Sequence, residues 1–359
     1  MSEFSPTRLI GLDIVRGGAM TSVLFAHARY LMDVPNDFLF LSITGKFGVE
    51  LFFVLSGFLI GAILIRTCER EISFPSLFRF WMRRWFRTLP AYFAVLIFVW
   101  IVFNEIDLLY FVFLQDLVIG NWNILPVSWT LVIEEWFYLL FPPVCFLLFL
   151  ISARWGFLIA SLMLLLSSLL LSLGDYSACA VDAKPLLCFE NDIRKFTFRF
   201  TSLGMGAMLA YAHRHWDLRK SLRPYLSTLK LVTLIVNVVV LVFCGNVILN
   251  YPGVLPPAWS FALFYPLMGI ASVFLITLMF VWEPVPPRKV ATFFSFASLT
   301  SYSCYLWHLM LVDQARIHLT SLNPYIAAFI FIVVSIAAGG ISYVLIEKPF
   351  LKFRDRVFR

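Results

Sequence analysis

Charge is scarce in this chain. Asp, Glu, Lys and Arg supply only 14% of its 359 residues, against 61% hydrophobic and 18% aromatic, where a soluble domain carries about 25% charged residues. That deficit, with a mean hydropathy of +0.88, excludes a soluble globular enzyme and indicates a membrane protein. Long polar stretches are missing too, so no soluble domain is left over, and no internal repeat, low-complexity tract or long linker interrupts the chain. Equally absent are a glycine-rich phosphate loop ending in Gly-Lys-Ser/Thr, a His-Glu-x-x-His pair and any Cys/His spacing suited to zinc. Nucleotide hydrolysis and zinc chemistry have no local support, and no bound metal is expected.

What is present is a series of apolar runs of about 20 residues, the length that crosses a bilayer as a helix. Ten stand out, at roughly 8–31, 46–65, 88–104, 129–150, 155–173, 196–212, 229–249, 259–281, 293–316 and 325–346. An eleventh, 106–120, is short, carries Asp107 and Asp116, and runs into the loop-like Gly120-to-Pro126 stretch. The expected fold is a single all-α polytopic membrane domain using nearly the whole chain, 1–359.

Basic residues are retained on the cytoplasmic side of membrane spans. If 106–120 does not cross, 21 of the 28 Lys and Arg lie in cytoplasmic loops or at cytoplasmic helix ends; if it crosses, only 13 do. Ten spans is therefore the better count, with both termini cytoplasmic and 106–120 re-entrant or interfacial. The net charge of +7 then reflects topology, and no nucleic-acid partner is expected. Cytoplasmic loops fall at 66–87, 213–228 and after Glu347. The longest outer loop, 174–195, holds Cys179 and Cys188, a candidate disulfide if it faces an oxidising compartment.

Near the N-terminus, Arg16 precedes an apolar run ending in Ala26-His27-Ala28, which imitates an export signal with its cleavage site. The run begins earlier, at Leu9, and embeds Asp13, which is wrong for such a signal. Arg16 and His27 are eleven residues apart, so on a helix they share a face and differ in depth by about 16 Å.

Ionisable groups inside spans are costly and mark candidate sites. Counting about 1.5 Å per residue from the outer ends places His27, Glu50 and Glu134 about 6–7 Å deep and His308 about 12 Å deep. Asp13, Arg16, Arg84 and Arg87 gather at the cytoplasmic end. Two poles result, one acidic and histidine-bearing, the other rich in arginine. A histidine beside a carboxylate can take a proton from a hydroxyl, and an arginine cluster recognises phosphate. The pattern suits an acyltransferase using a phosphorylated acyl carrier, or a proton-coupled anion carrier; the latter should show repeat symmetry and broken helices, which are not evident.

Six motifs in order then carry a resemblance. They are Leu12-to-Gly17 with Ala26-to-Tyr30, Gly45-to-Ile60, Phe80-to-Phe93 with Arg84 and Arg87, Val127-to-Pro143 around Glu134 and Tyr138, Ser301-to-His308, and Glu347-to-Phe350. From Leu9 to Phe350 the chain resembles the integral membrane acyltransferase family 3, which includes bacterial O-acetyltransferases of O-antigen, exopolysaccharide and Nod factor. The resemblance implies transfer of an acyl group, usually acetyl from acetyl-CoA as co-substrate with no permanently bound cofactor, to a hydroxyl of a surface glycan or its lipid-linked precursor in a bacterial inner membrane. Succinyl is the alternative group. It further implies His27 as catalytic base or acyl relay, Glu134 as its helper, Arg16, Arg84 and Arg87 on the CoA phosphates, and Asp13, Glu50, Tyr138, Ser301, Tyr302 and His308 as further site candidates. Thr130 stands where a serine is usual, so no catalytic hydroxyl is assigned there. The short tail after the last span lacks the extra hydrolase-like domain of some members, implying direct transfer or a separate partner.

Overall fold

The computed structural model describes residues 9–32, 39–105, 107–115, 124–180, 199–249 and 257–358. Among these residues the structure is helical, with no strand. The long helices are α1 (Ile10–Ala28), α2 (Leu39–Arg70), α3 (Phe74–Phe103), α5 (Ser128–Ile151), α6 (Gly156–Ala180), α7 (Phe200–Trp216), α9 (Leu226–Leu249), α10 (Pro257–Trp282), α11 (Arg288–His318) and α12 (Pro324–Ser342). Three short ones complete the set: α4 (Leu108–Phe111), α8 (Leu218–Leu222) and α13 (Lys348–Val357), the last reached through a π-helical turn at Tyr343–Glu347.

Each expected span overlaps one of the long helices, and α2, α3 and α11 outrun theirs, whereas α1 is shorter than the expected 8–31. The loop expected at 66–87 shrinks to a few residues because Ser73 caps α3, its hydroxyl accepting from the Ser76 amide at 3.3 Å, with Pro75 in the first turn. The basic residues 79–87 are therefore helical. The outer loop placed at 174–195 likewise begins later, since α6 runs to Ala180. The proposed Cys179–Cys188 pairing lies outside the described side chains; Cys68, Cys145, Cys244 and Cys304 are free and buried.

Seven helical stretches among the described residues are long and apolar enough to cross a membrane: 41–70, 74–103, 128–151, 156–173, 218–248, 262–282 and 324–357. The other three expected spans, on α1, α7 and α11, do not meet that standard. Two of them, α1 and α11, carry Asp13, Arg16, His27, Ser301 and His308, and these two helices pack directly on each other inside the bundle.

The central helix is α2, flanked by α1 and α7. Its contact with α7 is backbone to backbone: a methyl on Gly57 would overlap the Leu203 carbonyl, and one on Gly206 would overlap that of Val54. Small residues permit such approach where lipid supplies no hydrophobic drive between helices.

The described residues before α5 pack inward. Helix α4 is a single turn, and Tyr110, Gln115, Leu125 and Val127 are buried. Tyr92 donates to the Tyr110 carbonyl at 2.9 Å and Trp136 to that of Phe113 at 3.0 Å. Ion pairs link Arg214 with Glu69, Arg219 with Glu283 and Arg83 with Asp355. The three basic segments expected on one side of the membrane therefore meet at one end of the bundle.

Candidate active site

A cavity of about 100 Å³ with a mixed apolar and charged lining opens between α1, α2, α3, α5 and α11. Its charged lining is Arg16 from α1, Arg84 and Arg87 from α3, and Glu134 from α5. One turn of helix separates Arg84 from Thr88 and Glu134 from Tyr138, so each helix presents two cavity residues on one face. Ser56 donates to Glu134 Oε1 at 2.6 Å and Tyr138 to its Oε2 at 3.2 Å. Arg84 lies over the Tyr138 ring, 5.5 Å from its centroid. Arg16 is within electrostatic reach of Arg84, Arg87, Glu134 and Asp13.

Glu134 thus belongs with the arginines, whereas helix counting had placed it level with His27. That count took the start of α5 as the membrane surface. Leu125, Val127 and Ser128 are buried, so the start of α5 does not lie at an exposed surface. The two polar poles expected from sequence are, on this side, a single cluster of cations around one carboxylate.

His27 is not in the cavity lining. Its ring meets that of His308 edge-on, centroids 4.8 Å apart. His308 in turn lies 5.3 Å from the ring of Tyr305, and Tyr305 does line the cavity. Thr130 donates to the Tyr305 hydroxyl at 2.9 Å. The order along the bundle is therefore arginines and Glu134, then Tyr305, then the histidine pair.

The remaining expected residues divide. Tyr138, Ser301 and Tyr302 line the cavity, and Tyr302 fixes α11 to α3 by donating to the Thr88 carbonyl at 2.9 Å. Asp13 accepts from Ser295 at 3.2 Å and lies outside the lining. Glu50 sits elsewhere, fully buried, where it pairs with Arg199 and accepts from Ser202. Arg199 lies over the rings of Tyr265, at 3.5 Å, and Trp129, at 5.3 Å. This network ties α2, α7, α10 and α5 together away from the cavity, so Glu50 does not join the histidine layer.

Sequence reasoning did not single out Ser56, Thr88, Tyr305 or Arg199. Ser56 lies inside the Gly45-to-Ile60 motif and Tyr305 inside Ser301-to-His308, so a signal existed for both. Arg199 was counted only as an outer-side charge. Glu347, from the last motif, is buried in the π-helical turn, accepts from Ser303 and is within electrostatic reach of Arg87. Among the described residues no group of three or more His, Cys, Asp or Glu forms a metal site.

A family model described as an acyltransferase domain matches residues 9–345. The chain belongs to this acyltransferase family. With its apolar helices, this family member is an integral membrane protein. It is 26% identical, over 95% of its length, to a "Putative O-acetyltransferase" of Staphylococcus aureus strain COL. It is 27% identical over 97% of its length to the "Putative peptidoglycan O-acetyltransferase YrhL" of Bacillus subtilis strain 168, and 27% identical over 99% to O-acetyltransferase OatA of S. aureus strain NCTC 8325. The chain spans only 57%, 56% and 59% of the lengths of these relatives. No solved structure matches it.

Proposed function

We propose that this acyltransferase moves an acetyl group from acetyl-CoA to a hydroxyl of a cell-envelope glycan or its lipid-linked precursor. The observation that carries the reading is the cavity itself: three arginines and one carboxylate held inside an apolar bundle, joined through Tyr305 to a pair of histidines. Arginines bind phosphate through charge-assisted, bidentate hydrogen bonds, and Arg16, Arg84 and Arg87 are the groups for the phosphates of the donor. Glu134, held by Ser56 and Tyr138, keeps the cluster from being a purely repulsive array and orients Arg84.

The cavity volume is enough for several water-sized positions, at about 10–15 Å³ each, and is far smaller than a whole acetyl-CoA. It suits the thin pantetheine and thioester end, with the nucleotide outside the basic end of the bundle. The excess of basic residues at that end supports a cytoplasmic orientation for it in the bacterial inner membrane, with both termini there. The thioester then faces Tyr305 and His27. His27 accepts the proton of the acceptor hydroxyl as the oxygen attacks the thioester carbonyl, and gives it to the departing thiolate. The acceptor is a peptidoglycan-type glycan, a choice supported by the name of YrhL.

Purified protein incubated with labelled acetyl-CoA and cell-wall or lipid-linked glycan tests this reading. Transfer of label, with a mass gain of one acetyl group on the sugar, is expected. Solute movement with the thioester left intact would replace the enzyme with a carrier.

A further inference from the structure

Helix α13 docks on α3 through one aromatic side. Phe350 and Phe353, three residues apart, both meet the ring of Phe86 on α3, with centroids 6.4 and 5.5 Å away, and Phe358 meets it at 5.4 Å. Arg83 of α3 adds a hydrogen bond to the Phe358 carbonyl and the ion pair with Asp355. Lys348, Lys352 and Arg356 are exposed, as cations flanking a membrane span usually are. Arg354 is not. It follows Phe350 by one turn, on the side that faces α3, and its side chain is only 17% exposed.

That position brings Arg354 to other cations. It is within electrostatic reach of Arg83, Arg84 and Arg87, and Asp355 is the carboxylate acting on it. Its Nε and Nη2 donate to Asp355 Oδ1 at 2.9 and 2.8 Å, and Arg83 draws on the same oxygen at 3.3 Å. One carboxylate oxygen thus serves two guanidinium groups, and Nη1 of Arg354 has no hydrogen-bond partner among the described residues. The nearby Glu134 is held by Ser56 and Tyr138, and Glu347 by Ser303. Arg84 and Arg87 line the cavity, whereas Arg83 and Asp355 stand at the surface. Arg354 lies between the two groups, the outermost of the buried arginines at this end. Guanidinium groups gathered around one shared oxygen fit a ligand that brings anionic oxygens of its own.

We propose that Arg354 is a further donor-binding residue and that it receives the phosphate on the ribose of the acyl-CoA nucleotide. The inference rests on the acetyl-CoA reading of the cavity. The order of groups along such a donor is thioester, pantetheine arm, diphosphate and then ribose phosphate, and the order along the site is Tyr305, Glu134 with the cavity arginines, then Arg354. With the diphosphate at Arg84 and Arg87, the next phosphate falls to the next arginine outward. Arg354 meets it with Nη1 and Nη2, the planar edge that suits two phosphate oxygens. Asp355 keeps its hold on Nε and so aims that edge. The aromatic contacts with Phe86 make α13 a fixed wall of the donor site.

Acetyl-CoA and acetyl-dephospho-CoA, which lacks only the ribose phosphate, separate binding from packing. With the full chain in detergent and glycan as acceptor, Arg354→Gln is expected to raise the KM for acetyl-CoA about tenfold and to change kcat less than about twofold. Wild type should lose about as much when the phosphate is taken off the donor, and the two proteins should then have equal KM values for acetyl-dephospho-CoA. An unchanged KM for acetyl-CoA in Arg354→Gln overturns the proposal. So does a tenfold gap that persists with acetyl-dephospho-CoA, which is what undocking of α13 would give. Asp355→Asn removes the ion pair with Arg83 and keeps the Arg354 guanidinium, so its KM for acetyl-CoA should stay within about twofold of wild type; a rise matching that of Arg354→Gln reduces Arg354 to an anchor of the helix and also overturns the proposal. Calorimetry with CoA and dephospho-CoA repeats the comparison without turnover. The same contrast in binding, from wild-type protein that transfers no acetyl group to any glycan, supports this phosphate subsite and defeats the transfer reading alone.

Discussion

Ser56 of α2 donates a 2.6 Å hydrogen bond to Glu134 of α5. This contact fixes the carboxylate at the arginine side of the bundle. Helix α2 thereby carries a site residue as well as the close packing that sets its neighbours.

Arg84 and Arg87 line the cavity. Arg84→Ala is expected to raise the KM for acetyl-CoA about tenfold, the worth of one charge-assisted hydrogen bond at about 1.5 kcal/mol, with a smaller effect on kcat. Arg87→Ala should act in the same direction. Steady-state kinetics over donor concentration checks both; an unchanged KM returns these arginines to a role in topology alone.

Arg83, in the same basic stretch, has a different fate. It is 41% exposed and pairs with Asp355 of α13 at 3.3 Å. Exposed pairs contribute about 0–1 kcal/mol, so Arg83→Ala should leave the KM for acetyl-CoA within about twofold and stability nearly unchanged. A loss matching that of Arg84→Ala would show that the cavity does not define the donor site.

Glu50 and Arg199 form a buried ion pair. Removing one partner strands a charge, so Arg199→Met or Glu50→Gln is expected to cost about 3–5 kcal/mol, and the double variant should regain part of that loss. Thermal unfolding in detergent measures it. Activity per folded molecule should hold, because neither side chain lines the cavity.

At the α2–α7 contact, Gly206→Ala forces the backbones apart and is expected to destabilise the protein by about 1–3 kcal/mol. Gly18, beside which an added methyl meets nothing within 4 Å, provides the control. Gly18→Ala should be neutral or slightly stabilising, as expected for a helix interior.

Much of this was legible in the sequence. Apolar runs located each long helix among the described residues, because membrane helices satisfy their own backbone and need little tertiary information to form. Motif order gave the family, and the basic segments assigned to one side do meet at one end. What failed was depth. Counting from helix ends assumes that each end is a membrane surface, and the burial of Leu125, Val127 and Ser128 at the start of α5 breaks that assumption for Glu134. Glu50 was misplaced for a related reason: its partner Arg199 lies far along the chain and looked like an ordinary flanking charge. Pairings between distant segments, such as His27 with His308 and Ser56 with Glu134, depend on helix rotation and register, which spacing within a single helix does not determine.

The proposed transfer of acetyl from acetyl-CoA to glycan depends on His27 as the base. Its most direct test compares wild type with His27→Gln, both in detergent, using acetyl-labelled CoA and glycan, with donor binding followed separately by calorimetry. The account predicts that His27→Gln still binds acetyl-CoA with unchanged affinity and transfers no label. Label reaching the glycan at the wild-type rate in His27→Gln would contradict it.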